Sequence, residues 1–131
     1  MSGILLPLLI IAFLPYLAKL PLVWAMQRAG GYNNHYPRQQ QSQLTGFGQR
    51  CTAAHYNSFE ALAFFSVAVL MVIAVGQVSD TMQLLAWSFV ACRVAYLFCY
   101  WQGRVDVCCL DFVRTGGALI AKRGAQFSYS K

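Results

Sequence analysis

Three stretches of this chain are so long and so apolar that they must be helices facing lipid. Residues 3–26 carry one charge, Lys19, and residues 81–101 carry one, Arg93. Between them, residues 61–75 carry none. In hydrocarbon no water satisfies exposed backbone groups, so a single strand or a loop is excluded and a helix bonds its own backbone. About 20 apolar residues at about 1.5 Å each cover the roughly 30 Å hydrocarbon core. The composition agrees: 58% of the 131 residues are apolar and 11% are charged, less than half the charged share of a typical soluble domain.

These stretches predict an all-α integral membrane helical bundle, read as one domain over 1–131 with a polar tail at 122–131. The first span, 3–26, is interrupted by Pro7, Pro15 and Pro21, which membrane helices tolerate as kinks. Residues 1–18 contain no Lys or Arg, so the positive region of a cleavable signal is missing and the segment is read as a retained span. The second span is expected over 50–75 and the third over 81–101. Between spans one and two, Gly30-Gly31, Asn33-Asn34 and Pro37 break helices. The tract 39–43 there reads as loop or as the wet start of the next helix. Residues 105–121 are long enough for a fourth span but contain Asp106, Asp111 and Arg114. Each costs roughly 2.5–3.5 kcal/mol at mid-membrane, so this segment is expected to be short, tilted or interfacial.

Charge placement sets an orientation. The first loop carries Arg28 and Arg38 with Arg50 at its edge, whereas the second carries Asp80 and no basic residue. Basic residues collect on the cytoplasmic side, so the first loop is expected inside and the N-terminus outside. A full fourth span would export Lys122, Arg123 and Lys131, which opposes one. Ten basic residues against four acidic ones give a net charge of +6. They are spread singly, which argues for membrane ends and against nucleic acid. None of the five cysteines forms a CxxC pair and no His sits at metal-ligand spacing, so no metal is expected. His55 alone could serve as a haem or metal ligand, but nothing at ligand spacing joins it. The cysteines read as small apolar residues inside a bundle.

The polar residues within the spans carry the functional information. Glu60 is the only Glu in the chain, and intramembrane charges mark function more often than chance. At about 100° per residue, Arg50, Ala53, Asn57, Glu60 and Phe64 fall on one helix face. Arg93, Tyr96 and Tyr100 share a face of the third span. Facing Glu60, Arg93 is expected to neutralise it, while the tyrosine hydroxyls donate to an anion or a thiolate. The same residues could instead simply lock two helices together.

The segment LTGFGQRCTAAHYNSFEALAFF, 44–65, resembles the second helix of the MAPEG family, the membrane-associated proteins in eicosanoid and glutathione metabolism. The shared pattern is an Arg seven residues before Asn-x-x-Glu: Arg50, Asn57 and Glu60. The segment RVAYLFCY, 93–100, resembles the family's third-helix pattern Arg-x-x-Tyr-x-x-x-Tyr. The upstream PRQQQSQLTGFGQR resembles bacterial members, which implies a bacterial inner membrane. The resemblance covers 4–103. It implies a four-helix protomer in a homotrimer, with glutathione as co-substrate between protomers near the cytoplasmic helix ends. Glutathione would be bound by Arg50, Asn57, Glu60, Arg93, Tyr96 and Tyr100. Arginine suits its carboxylates, Glu its amine, and hydroxyl or cationic donors its thiolate.

Two departures from the family pattern matter. Ala53 stands where eukaryotic members carry another Arg. Family enzymes also place a thiol-activating Arg near the start of helix four; here the candidates are Arg104, four residues past Tyr100, and Arg114, fourteen past. Arg104 is taken as the catalytic candidate. The leading expectation is a glutathione transferase or peroxidase acting on lipophilic electrophiles. The alternative is a non-catalytic accessory or scaffold subunit of a larger membrane complex. A transporter subunit is disfavoured because no inverted repeat is evident.

Overall fold

A computed structural model describes residues 2–76 and 78–104. The expected fourth segment, 105–121, and the tail lie outside the described residues, as do Cys108, Cys109 and Arg114. Helix α1 runs Ser2–Arg28, α2 Pro37–Gln43, α3 Phe47–Ala74 and α4 Asp80–Trp101. Three of these, α1, α3 and α4, are long and apolar enough to cross a membrane. The three expected spans are therefore present, with α1 two residues longer at its end and α3 beginning three residues earlier than the sequence indicated.

The order of the helices is up, down, up. A Cβ on Gly3, at the start of α1, would overlap the carboxamide of Gln83 at the start of α4. At the other end of α1, Leu22 and Met26 pack with Cys51 from the start of α3, and Trp101 from the end of α4 closes over them. Thus α1 and α4 run parallel and α3 runs antiparallel between their ends. A second, longer cluster fills the middle: Ile4, Ile11, Leu14 and Ala18 of α1 meet Ala54, Phe65 and Val69 of α3 and Ala86, Val90 and Leu97 of α4. Phe65 and Phe89 stack at 4.7 Å between centroids and join α3 to α4.

Pro7 and Pro15 are fully buried on the packed side of α1. Each removes a backbone donor from the helix, and there the neighbouring helices exclude lipid. His55 Nδ1 lies 3.0 Å from the Pro15 carbonyl oxygen, so this histidine ties α3 to α1 and is not a free ligand. Hydroxyls inside the spans satisfy themselves locally: Ser58 donates to the Ala54 carbonyl, Thr52 to Gly48 and Ser88 to Leu84.

The polar connection is more ordered than its composition indicated. The tract 39–43 belongs to a separate short helix, α2, that opens on Pro37 at its first position. Gln40 holds it down. Its carboxamide donates to the carbonyls of Met26 and Gly31 and accepts from the Asn33 amide. The Asn33 side chain in turn accepts from the amides of His35 and Tyr36. At the far loop, Ser79 caps α4 by accepting from the Met82 amide, and Asp80 sits in the first turn where the helix dipole favours an acid.

Candidate functional site between the second and third spans

The helix directions bring Arg28, Arg38, Arg50 and Arg104 to one end of the bundle, while Asp80 lies at the other. Trp101, also at the arginine-rich end, and Arg93, about 12 Å deeper along α4 by helical rise, are partly or fully buried.

Arg93 is the centre of the site. It is 5% exposed, although it lies within a membrane-crossing helix. Its Nη2 donates to the Asn57 carbonyl oxygen at 2.8 Å, and its guanidinium stands 4.5 Å from the centre of the Tyr96 ring. Asn57 Nδ2 donates to the Tyr96 hydroxyl at 2.6 Å. Tyr96 and Tyr100 lie ring against ring, 5.0 Å between centroids. The structure therefore gathers Asn57, Arg93, Tyr96 and Tyr100, as their spacing predicts.

Glu60 is placed differently. It is exposed on α3 and no ion pair joins it to Arg93 among the described residues, so the expected direct neutralisation is not made. The physical reason is rotation: the buried face of α3 carries Ala54, Ser58 and Phe65, and Phe65 stacks on Phe89 of α4. This turns Asn57 partly inward, with its carbonyl towards Arg93, and leaves Glu60 and Phe64, the latter 79% exposed, looking outward.

Arg50 is half-buried at the start of α3. Its guanidinium lies against Gly103, where a built Cβ would sit 3.5 Å from its Cζ. Gly103 ends α4 with φ +79°. The Gly103 amide bonds to the Tyr100 carbonyl and the Arg104 amide to Cys99, the paired bonds of a Schellman turn. The turn sends Arg104 outward, and its side chain is exposed and makes no hydrogen bond among the described residues. Arg104 is thus not brought to Arg93 and Tyr96.

Three buried donors have no acceptor among the described residues: Nε of Arg50, Nε of Arg93 and Nε1 of Trp101. Trp101, the last residue of α4, has no place in either helical motif, and its burial comes from packing on Leu22, Met26 and Cys51. An arrangement of buried cations, hydroxyls and unused N–H groups suits an anionic ligand. Among the described residues no group of His, Cys, Asp and Glu is placed to hold a metal ion. Cys51, Cys92 and Cys99 are free thiols.

Comparison with curated proteins and with solved structures gives no match. A family model does match, over residues 4–121, which takes in both helical motifs, the polar connection and the segment after α4. With the Asn57–Tyr96 and Arg93 arrangement on adjoining helices and a match over nearly the whole chain, this protein belongs to the MAPEG family.

Proposed function

We propose that the chain is a glutathione transferase or peroxidase that acts on lipophilic electrophiles drawn from the bilayer. The observation that carries this reading is Arg93: a buried guanidinium with one unused N–H and no carboxylate in contact among the described residues. A lone buried cation in a membrane bundle is costly, and an anionic ligand offsets that cost. Glutathione supplies carboxylates and a thiolate. Arg50 and Arg93 bind and orient the anionic groups, Glu60 holds the amine, and Asn57 fixes the Tyr96 hydroxyl. Tyr100 donates to the sulfur, and Arg104, exposed just past α4, is the candidate for stabilising the thiolate.

The thiol proton passes to solvent, and the thiolate sulfur bonds to the electrophilic carbon as the leaving group departs with its electron pair. With a hydroperoxide, the sulfur takes the terminal oxygen and releases an alcohol. A second glutathione then displaces water to form the disulfide.

The homotrimer of the family fits exposed Glu60, midway along α3, because a neighbouring copy would cover a carboxylate that lipid would not accept. The arginine-rich end faces the cytoplasm in this reading and the N-terminus faces outward, as in a bacterial inner membrane. Purified full chain titrated with glutathione should bind it and conjugate a lipophilic electrophile, and Arg93→Met, with helicity unchanged by circular dichroism, should do neither. Full conjugation by that variant would remove the site.

The outward placement of Arg104 favours a second reading, in which the scaffold serves as an accessory subunit of a larger membrane complex. Purification in mild detergent separates the two. Stoichiometric foreign chains without glutathione binding would support the accessory role.

A further inference from the structure

A tryptophan at the end of a membrane helix ordinarily keeps its ring at the interface and its N–H in headgroup water. Trp101 does not. Its Nε1 is buried and has no acceptor among the described residues. The ring is held by apolar contacts: it packs on Leu22, Met26 and Cys51 and meets Phe98 edge to face at 5.7 Å. The direction of the N–H is therefore set by side chains of α1, α3 and α4 and not by a hydrogen bond. A buried donor left unused costs stability, so a phenylalanine would pack here at less cost. The N–H calls for an acceptor.

A second unused donor lies in the same corner. Arg50 directly precedes Cys51 on α3, and its Nε is also buried without an acceptor among the described residues. A Cβ built on Gly103, two residues past Trp101, would sit 3.6 Å from that Nε. Both N–H groups thus belong where the start of α3 meets the end of α4. Neither acid among the described residues serves them. Glu60 is ten residues further along α3, about 15 Å by helical rise, and Asp80 opens α4 at the other end of the bundle. The Nε–H of an arginine and one Nη–H match the two oxygens of a carboxylate side-on. An indole N–H nearby supplies a further, neutral donor.

We propose that Trp101, together with Arg50, binds the glycine carboxylate of glutathione. This rests on glutathione binding at Arg93 and extends that site to a residue outside both helical motifs. The other groups leave this carboxylate one place to go. The amine and carboxylate of the γ-glutamyl end share one carbon, so Glu60 and Arg93 hold that end, and Tyr100 takes the sulfur. Trp101 stands eight residues beyond Arg93, about 12 Å along α4, and an extended tripeptide spans about 10 Å. The glycine end therefore falls at Arg50 and Trp101.

The full chain in mild detergent is titrated by calorimetry with glutathione and with an analogue in which ethylamine replaces glycine, so that the amide stays and the carboxylate is gone. Trp101→Phe keeps an aromatic ring on Leu22, Met26 and Cys51 and removes the N–H. It should weaken glutathione about tenfold, the scale of one hydrogen bond to a charged group, and leave the affinity for the analogue unchanged. Equal weakening of both ligands would make Trp101 a packing residue and overturn the proposal. The wild type supplies a measurement that depends on no variant at this position. With 15N-labelled tryptophan, the Trp101 indole resonance, assigned by elimination in Trp24→Phe and Trp87→Phe, should move downfield with glutathione and stay in place with the analogue. A wild type that binds glutathione and the analogue equally, or an indole signal indifferent to glutathione, would overturn the role of Trp101 and leave the Arg93 site standing. A wild type that binds neither would overturn both.

Discussion

Asn57 donates its carboxamide to the Tyr96 hydroxyl at 2.6 Å while its backbone carbonyl accepts from Arg93 at 2.8 Å. One residue of α3 thus engages two residues of α4 that are three positions apart. The pairing fixes the register of the two helices at the depth where the candidate site lies.

The side-chain half of that pairing should be measurable by itself. In a double-mutant cycle with Asn57→Ala and Tyr96→Phe, the coupling energy should be about 0.6 kcal/mol, the average for hydrogen bonds between membrane helices. Reversible unfolding in mixed micelles gives the four stabilities. A coupling of zero would mean that the bond contributes only geometry.

Arg93→Met should part stability from binding. The guanidinium is buried without an ion pair among the described residues, so an apolar residue of similar length should leave the bundle as stable or raise it by up to about 2.5 kcal/mol. Glutathione binding by calorimetry should disappear. A large loss of stability would instead make the bond to Asn57 and the stacking on Tyr96 the main purpose of this arginine.

Gln40→Ala removes two donations and one acceptance at once. At about 1 kcal/mol for each bond, partly offset by water, a cost of about 2 kcal/mol is expected. The loss should be local. Amide exchange should speed up over 31–43 and stay slow in the spanning helices. Uniform acceleration would show that the connection unfolds only with the whole bundle.

Gly103 occupies a backbone region that an L side chain enters at a cost of about 1–2 kcal/mol. Gly103→Ala should lower stability by about 1 kcal/mol, while Gly103→Asn should cost less, because Asn tolerates this conformation better. The added Cβ has room beside Arg50 at 3.5 Å, so the effect should follow backbone strain. Equal losses for Ala and Asn would point to the Arg50 contact instead.

The spans were legible because lipid leaves the backbone only one way to satisfy itself. That made 3–26, 50–75 and 81–101 readable within a few residues from apolar length alone. Helical spacing likewise identified Arg93, Tyr96 and Tyr100 as neighbours. Spacing could not say how far α3 is rotated, which depends on which of its residues are buried: Ala54, Ser58 and Phe65 are, and Glu60 is not. For that reason Glu60 was expected to meet Arg93, whereas the Asn57 backbone does so. No side-chain pattern announces a carbonyl as a partner. Helix α2 was hidden for a related reason: it has no buried residue and no apolar periodicity, and it is held by the amide of Gln40.

The prolines of α1 bear on how the chain is made. This helix has the highest mean hydropathy of the three, 2.1, so the insertion machinery would release it readily into the bilayer. Yet Pro7, Pro15 and Pro21 deprive it of three backbone donors, and two of them end up packed against its neighbours. During biogenesis, then, α1 enters the membrane before α3 and α4 exist. The contacts that bury Pro7 and Pro15 form only when those helices follow and close around it.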